Sequence, residues 1–203
     1  MRKLPISYYT RTDTLEIAKD LLGKYLITNI NGKITGGIIA ETEAYNGVFD
    51  KASHAYNGRR TKRTETMYSS GGISYVYFSY GMHYLFNVVT SVKEDPKAVL
   101  IRGIIPEFGI EEQIKRRNFT KKEKTQLTNG PAKLCQALGI TKLQNGISLL
   151  GDTIWVEDRY FKISKNKIIT TMRVGVEYAG EDSMLPYRFI LYNPNYVPVK
   201  LRK

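Results

Sequence analysis

The 203-residue chain holds one cysteine, two histidines and one tryptophan, and these scarcities exclude several chemistries. A lone Cys135 cannot build an intrachain disulfide framework and fits a reducing compartment. Structural zinc sites use four ligands, mostly cysteine and histidine, and catalytic ones three, so no metal site is expected. A His-Cys-Cys deaminase centre is impossible with one cysteine. The sequence carries no P-loop pattern, no G-x-G-x-x-G fingerprint and no nucleophile elbow, so no cofactor is expected. No apolar run approaches the roughly 18 residues of a membrane span. The basic start, Met1-Arg2-Lys3-Leu4-Pro5, leads into no apolar stretch of signal-peptide length. The expectation is a soluble cytoplasmic protein with no membrane partner.

What is abundant is positive charge and tyrosine. Thirty-one Lys and Arg against 19 Asp and Glu give a net charge of +12. The basic residues cluster at Arg59-Arg60-Thr61-Lys62-Arg63, Lys115-Arg116-Arg117, Lys121-Lys122-Glu123-Lys124 and Lys200-Leu201-Arg202-Lys203. Such a field attracts polyanions, nucleic acid above all. A lysine-rich solvated surface would read the same on charge alone. Fifteen tyrosines, many alternating with apolar residues, suit half-buried strands and the gripping of unstacked bases.

With 42% hydrophobic residues the chain can bury a core, and no linker divides it, so residues 1–203 read as a single domain. Asp13 is placed to cap a helix over 13–23, with Leu15, Ile17, Ala18, Leu21 and Leu22 on one face. Strand-like runs at 24–30 and 33–45 flank Asn31-Gly32, a tight-hairpin signal. Residues 46–72 read as loop. Runs at 73–80 and 83–92 pivot at Gly81, and 98–105 is a further strand. A charged helix is expected over 109–124 and another from Gly130-Pro131 to Gly139. Strands return at 153–157, 171–176 and 188–192. This pattern predicts an α+β fold: a mixed, largely antiparallel curved sheet with flanking helices and a protruding β-hairpin.

The segment Ile39-Ala40-Glu41-Thr42-Glu43-Ala44-Tyr45, read as a strand, sets Glu41, Glu43 and Tyr45 on one face at a strand end, where rigid scaffolds deliver catalytic groups. Ordinary glutamates on a solvent-facing strand would give the same pattern. His54 falls just before the first arginine cluster. At the Gly81 turn, Tyr80 and Met82 replace the usual polar tip, which suits a wedge between base steps, although both could fold back onto the core.

Taken in order, these segments resemble the alkyladenine (3-methyladenine) DNA glycosylase family over nearly the whole chain. The resemblance is carried by Glu41-Thr42-Glu43-Ala44-Tyr45, His54, Arg59 to Arg63, Tyr75-Val76-Tyr77, Tyr80-Gly81-Met82, Asn87, Val99 to Arg102, Asn129 to Leu138 and Arg173-Val174-Gly175. It implies an enzyme that flips alkylated or deaminated purines out of double-stranded DNA and hydrolyses the N-glycosidic bond, leaving an abasic site. By the same resemblance Glu43 is the general base, with Arg102 and the carbonyl of Val174 helping it hold the water. Tyr45, His54 and Tyr77 wall the flipped base, and Asn87 discourages normal guanine. Tyr80 fills the vacated gap and Met82 shares its tip. Arg59, Thr61, Arg63, Met67, Lys133 and Gly175 fall in segments that resemble the DNA-contacting ones. A DNA-associated monomer is implied. Two departures stand out: His83, where a tyrosine is common after the Gly-Met pair, and a slightly extended Lys93-Glu94-Asp95-Pro96. The competing reading is a non-catalytic basic nucleic-acid-binding module, which leaves the paired carboxylates unexplained.

Overall fold

The computed structural model describes residues 2–121, 124–160 and 163–198. Lys122 and Glu123 of one basic cluster, and the Lys200–Lys203 tail, lie outside the described residues.

The elements in chain order are β1 (Arg2–Lys3), α1 (Ile6–Tyr9), α2 (Thr14–Asp20), β2 (Tyr25–Ile30), β3 (Lys33–Tyr45), β4 (Ser74–Ser79), β5 (His83–Thr90), β6 (Lys97–Phe108), α3 (Ile110–Arg117), α4 (Pro131–Leu138), β7 (Ile154–Asp158), β8 (Ile168–Thr171) and β9 (Arg188–Leu191). One sheet joins the strands in the order β1-β7-β2-β3-β6-β5-β4, with β9 beside β3 and β8 beyond β9. Every described strand pair is antiparallel, so the expected admixture of parallel pairing does not occur. The reason is the connections. Four of the pairs, β2–β3, β4–β5, β5–β6 and β8–β9, are consecutive strands joined by hairpins or loops, without the crossover helix that a parallel neighbour requires.

The long strands β3 and β6 form the spine. One edge of β3 pairs with β6 along 36–45; the other pairs with β2 along 33–38 and with β9 along 41–43. This change of partner lets the sheet curve. Its inner face carries Ala40, Ala44, Val76, Phe86, Val88, Val99 and Ile101, packed with Ile17, Ala18 and Leu21 near α2 and Leu134, Cys135 and Leu138 of α4. Asp13 caps α2 by accepting from the Glu16 amide at 3.0 Å. Thr42, the polar residue on this apolar face, donates its hydroxyl to Ala18 O at 2.8 Å, which satisfies it without water.

The opposite face of β3, β4, β5 and β6 is covered by the loops 46–73 and 172–187, and it holds the polar residues. The expected strand over 171–176 stops at Thr171. Arg173 turns its guanidinium inward to Asp50, which draws the chain out of the ladder. Among the described residues no helix is long and apolar enough to cross a membrane.

Candidate active site

Strand register alone brings four residues into one row. Tyr75 of β4 is opposite Asn87 of β5, Asn87 is opposite Leu100 of β6, and Leu100 is opposite Glu43 of β3. Side chains alternate along each strand, so Tyr77, Leu85, Ala98 and Tyr45 project from the same face. They wall a cavity of about 380 Å³ together with His54, Arg63, Met67, Tyr80, Arg102, Val174, Gly175 and Tyr178. That volume is at the small end of ligand pockets.

Arg102 continues the alternation of Ala98 and Leu100 onto the cavity face. Between Ile39 and Thr42 the β3–β6 pairing shifts twice, and Arg102 has no partner of its own in the ladder. The Arg102 guanidinium reaches both carboxylates, with Nε 2.6 Å from Glu41 Oε1 and Nη1 3.2 Å from Glu43 Oε1. Burial alone would lower the pKa of Arg102, but Glu43 and Glu41 outweigh it and raise it.

Glu43 is fully buried and directly behind the cavity wall. The Val174 amide donates to its Oε1 at 2.8 Å, and the Tyr45 hydroxyl donates to Oε2 at 2.9 Å. Burial, then Glu43, raises the pKa of Tyr45, so the phenol stays a donor. The three neighbours that hold Glu43, namely Tyr45, Arg102 and Val174, all line the cavity. An unpaired buried carboxylate would cost several kcal/mol; here donors surround it.

The aromatic wall is built by His54, Tyr75 and Tyr77. His54 meets Tyr77 edge to face at 4.6 Å between centroids, and Tyr75 and Tyr77 are tilted at 5.5 Å. Arg63 covers the Tyr77 ring at 4.9 Å and reaches His54 Nε2 at 3.5 Å. A guanidinium only donates, so Nε2 accepts and Nδ1 carries the proton, donating to Tyr75 Oη at 2.9 Å. Burial, then Arg63 and Arg59, lowers the His54 pKa from its ordinary 6.5 to about 4. The ring is neutral at pH 7. Burial likewise pushes the Tyr75 hydroxyl up to about 12.

Asn87 lines the same cavity and donates its Nδ2 to Tyr75 O at 3.1 Å, which orients the amide. At the hairpin tip Tyr80 is 86% and Met82 67% exposed, so neither folds back onto the core. Met67, expected among DNA-contacting residues, is instead buried with Ala55, Tyr68 and Tyr75 and forms part of the cavity wall. Arg59 and Thr61 are exposed outside the cavity, and Lys133 is half-buried there, its Nζ donating to Asn129 Oδ1 at 2.8 Å. Burial, then Arg117 and Lys121, lowers the Lys133 pKa. Arg60, by contrast, is occupied by Glu65 and Glu94.

Other residues support the site, and of these Asp50 and Tyr178 escaped sequence reading. Glu41, a candidate carboxylate by position, is bound by Arg102, Arg188 and Tyr196 and faces no cavity. Asp50 forms a buried two-pronged pair with Arg173, at 2.6 and 2.8 Å, and accepts from the Asn46 and Ala52 amides. Arg173 also donates to Ala44 O at 3.0 Å and to Asp182 O at 3.1 Å. These bonds hold the loop after β3 against the Val174 loop and so bring the Val174 amide to Glu43. Tyr178 lines the cavity and donates its hydroxyl to Ala52 O at 2.9 Å. Asp50 and Tyr178 sit in loops whose local sequence bears no periodic mark. Among the described residues no group of His, Cys, Asp and Glu is placed to hold a metal ion.

The comparison with known proteins agrees with this geometry. Residues 7–195 match the methylpurine-DNA glycosylase family. A Chlamydia felis protein named for an inferred 3-methyladenine DNA glycosylase activity is 52% identical over 188 residues, 93% of this chain and 95% of its own. Relatives with the same naming in Desulfitobacterium hafniense and Bacillus cereus are 45% and 44% identical, covering 98% and 97% of this chain and 100% and 98% of theirs. A match along nearly the full chain displaces the reading as a non-catalytic binding module. With its buried carboxylate set behind a base-sized aromatic cavity, this chain belongs to the methylpurine-DNA glycosylase family and is a DNA repair hydrolase acting on DNA.

Proposed function

We propose that the enzyme flips an alkylated or deaminated purine of double-stranded DNA into the cavity walled by Tyr45, His54 and Tyr77, and hydrolyses its N-glycosidic bond with a water activated by Glu43. The observation that carries this reading is the fully buried Glu43 held by Arg102, Tyr45 and the Val174 amide behind that cavity. A base within the stack is out of reach of any side chain, so it must be extruded, and a damaged, weakly paired base costs less to extrude. Stacking on the aromatic wall returns about 1–3 kcal/mol per base. A cationic alkylated purine gains further from the electron-rich faces. His54 supports this because a neutral imidazole does not repel such a cation.

As the purine leaves, positive charge develops on the deoxyribose. Glu43 stabilises it and takes the proton of the attacking water, with the Val174 carbonyl as a second acceptor for that water. Arg102, bound to Glu43, orients the carboxylate. No lysine is among the described residues lining the cavity, which favours hydrolysis to an abasic site over a Schiff base and strand cleavage. Tyr80 fills the gap left in the duplex, while Arg59, Arg63 and Lys133 contact phosphates. We place the enzyme on DNA in the cytoplasm, acting as a monomer.

The test is base release from a duplex carrying 3-methyladenine, 7-methylguanine, hypoxanthine or ethenoadenine, with no metal or cofactor added. Chromatography should detect the free base and an alkali-labile abasic site. Absence of release from all four substrates would refute the proposal.

A further inference from the structure

Arg102 presents only one N–H to Glu43, and its direction is fixed from the other side. The guanidinium is planar, so holding Nε on Glu41 sets where Nη1 points. Glu41 is in turn held on two sides. Arg188 Nε donates to Oε1 at 2.8 Å, and the Tyr196 hydroxyl donates to Oε2 at 2.5 Å. All of these side chains are buried: Glu41, Glu43 and Arg188 are at most 1% exposed, Tyr196 5% and Arg102 7%. Two carboxylates and two guanidiniums balance in charge, so the cluster is stable in the interior as a complete set.

Tyr196 belongs to the segment after β9, and the fold makes room for it. Gly103, next to the bulged Arg102, lies under the Tyr196 ring, and a Cβ there would collide with both ring and hydroxyl. Asn129 Nδ2 donates to Val197 O at 2.9 Å and pins the segment from outside. Burial, then Glu41, raises the Tyr196 pKa, so its hydroxyl remains a donor.

We propose that Tyr196 is a positioning residue for base excision: through Glu41 it fixes the plane of Arg102, and thereby the orientation of Glu43. The inference rests on Glu43 being the catalytic base. Removing the hydroxyl frees one oxygen of Glu41, the carboxylate turns, and the guanidinium follows it away from Glu43. The site residues that contact DNA are untouched, so binding is spared.

Single-turnover excision from an alkylated duplex over a range of enzyme concentrations tests this on the full chain. The maximal rate of Tyr196→Phe should fall about tenfold, the scale of one lost hydrogen bond to a charged group, with the half-saturating concentration unchanged. Gly103→Ala, which pushes an intact Tyr196 off Glu41, should reproduce the loss. A wild-type maximal rate in Tyr196→Phe would overturn the inference. So would a fall in rate, binding and melting temperature together, since that marks packing alone. An inactive wild-type enzyme would instead refute the glycosylase reading, and this inference with it.

Discussion

At the scale of single residues, the site separates groups that act on the base from groups that act on one another. Asn87 belongs to the first. Its amide is tied to Tyr75 O and turned to the cavity, where, in the proposed function, it would crowd the exocyclic amino group that distinguishes guanine. Asn87→Ser should therefore raise release of normal guanine by about tenfold, the scale of one sterically excluded group, and leave hypoxanthine release almost unchanged. Chromatography of bases freed from undamaged DNA measures it, and unchanged guanine release would remove the selectivity role from Asn87. His54 offers a second check. Burial, Arg63 and Arg59 depress its pKa to about 4, below the 6.5 of an unfolded histidine. Between those values the unfolded chain binds the extra proton, so the stability contributed by neutral His54 is present above pH 6.5 and is lost as pH falls toward 4. NMR titration of the imidazole should place its midpoint near 4; a midpoint near 6.5 would mean that the ring is open to water.

At the scale of elements, the β4–β5 hairpin carries the exposed tip proposed to fill the gap behind a flipped base. Tyr80 adopts φ 52, a left-handed conformation unfavourable to a residue with a Cβ, and its ring is almost fully exposed. Strain and exposure together cost stability without any packing return, which is the expected signature of a functional side chain. Tyr80→Gly should hold or raise stability by about 0.5–1 kcal/mol, yet speed return of a flipped ethenoadenine into the stack, read by stopped-flow fluorescence. Unaltered flipping kinetics would remove Tyr80 from the wedge. Much of this element plan was legible in the sequence. The Asn31-Gly32 turn, the Asp13 cap and the alternation of Glu41, Glu43 and Tyr45 all depend on near neighbours. The bulge at Arg102 was not legible, because register is a property of two strands. Nor was the burial of Glu41, since an anchoring glutamate and a catalytic one share the same local pattern. The strand expected at 171–176 failed for a related reason: the pairing of Arg173 with Asp50 spans more than a hundred residues and overrides local preference.

At the scale of the whole molecule, the count of 31 Lys and Arg overstates the cations that are free to meet DNA. Arg102, Arg173 and Arg188 are consumed in buried pairs, and Arg60 and Arg116 are paired with glutamates at the surface. Arg59, Arg63 and Lys133 have no carboxylate partner among the described residues and flank the site. If these three neutralise phosphates, the logarithm of the binding constant should fall with the logarithm of salt with a slope of about −2.7, at 0.9 per contact. A flat titration would contradict a DNA-tracking surface. Of the two buried carboxylates that share Arg102, Glu43 is the one proposed to do the chemistry. Glutamine keeps its shape and still accepts from the Val174 amide, so DNA binding should survive the loss of the base. The decisive measurement is single-turnover excision by Glu43→Gln beside its binding isotherm on the same alkylated duplex. The rate should fall at least about 100-fold, with Kd changed by less than about threefold. Excision within about tenfold of wild type would contradict this and move the base to another residue.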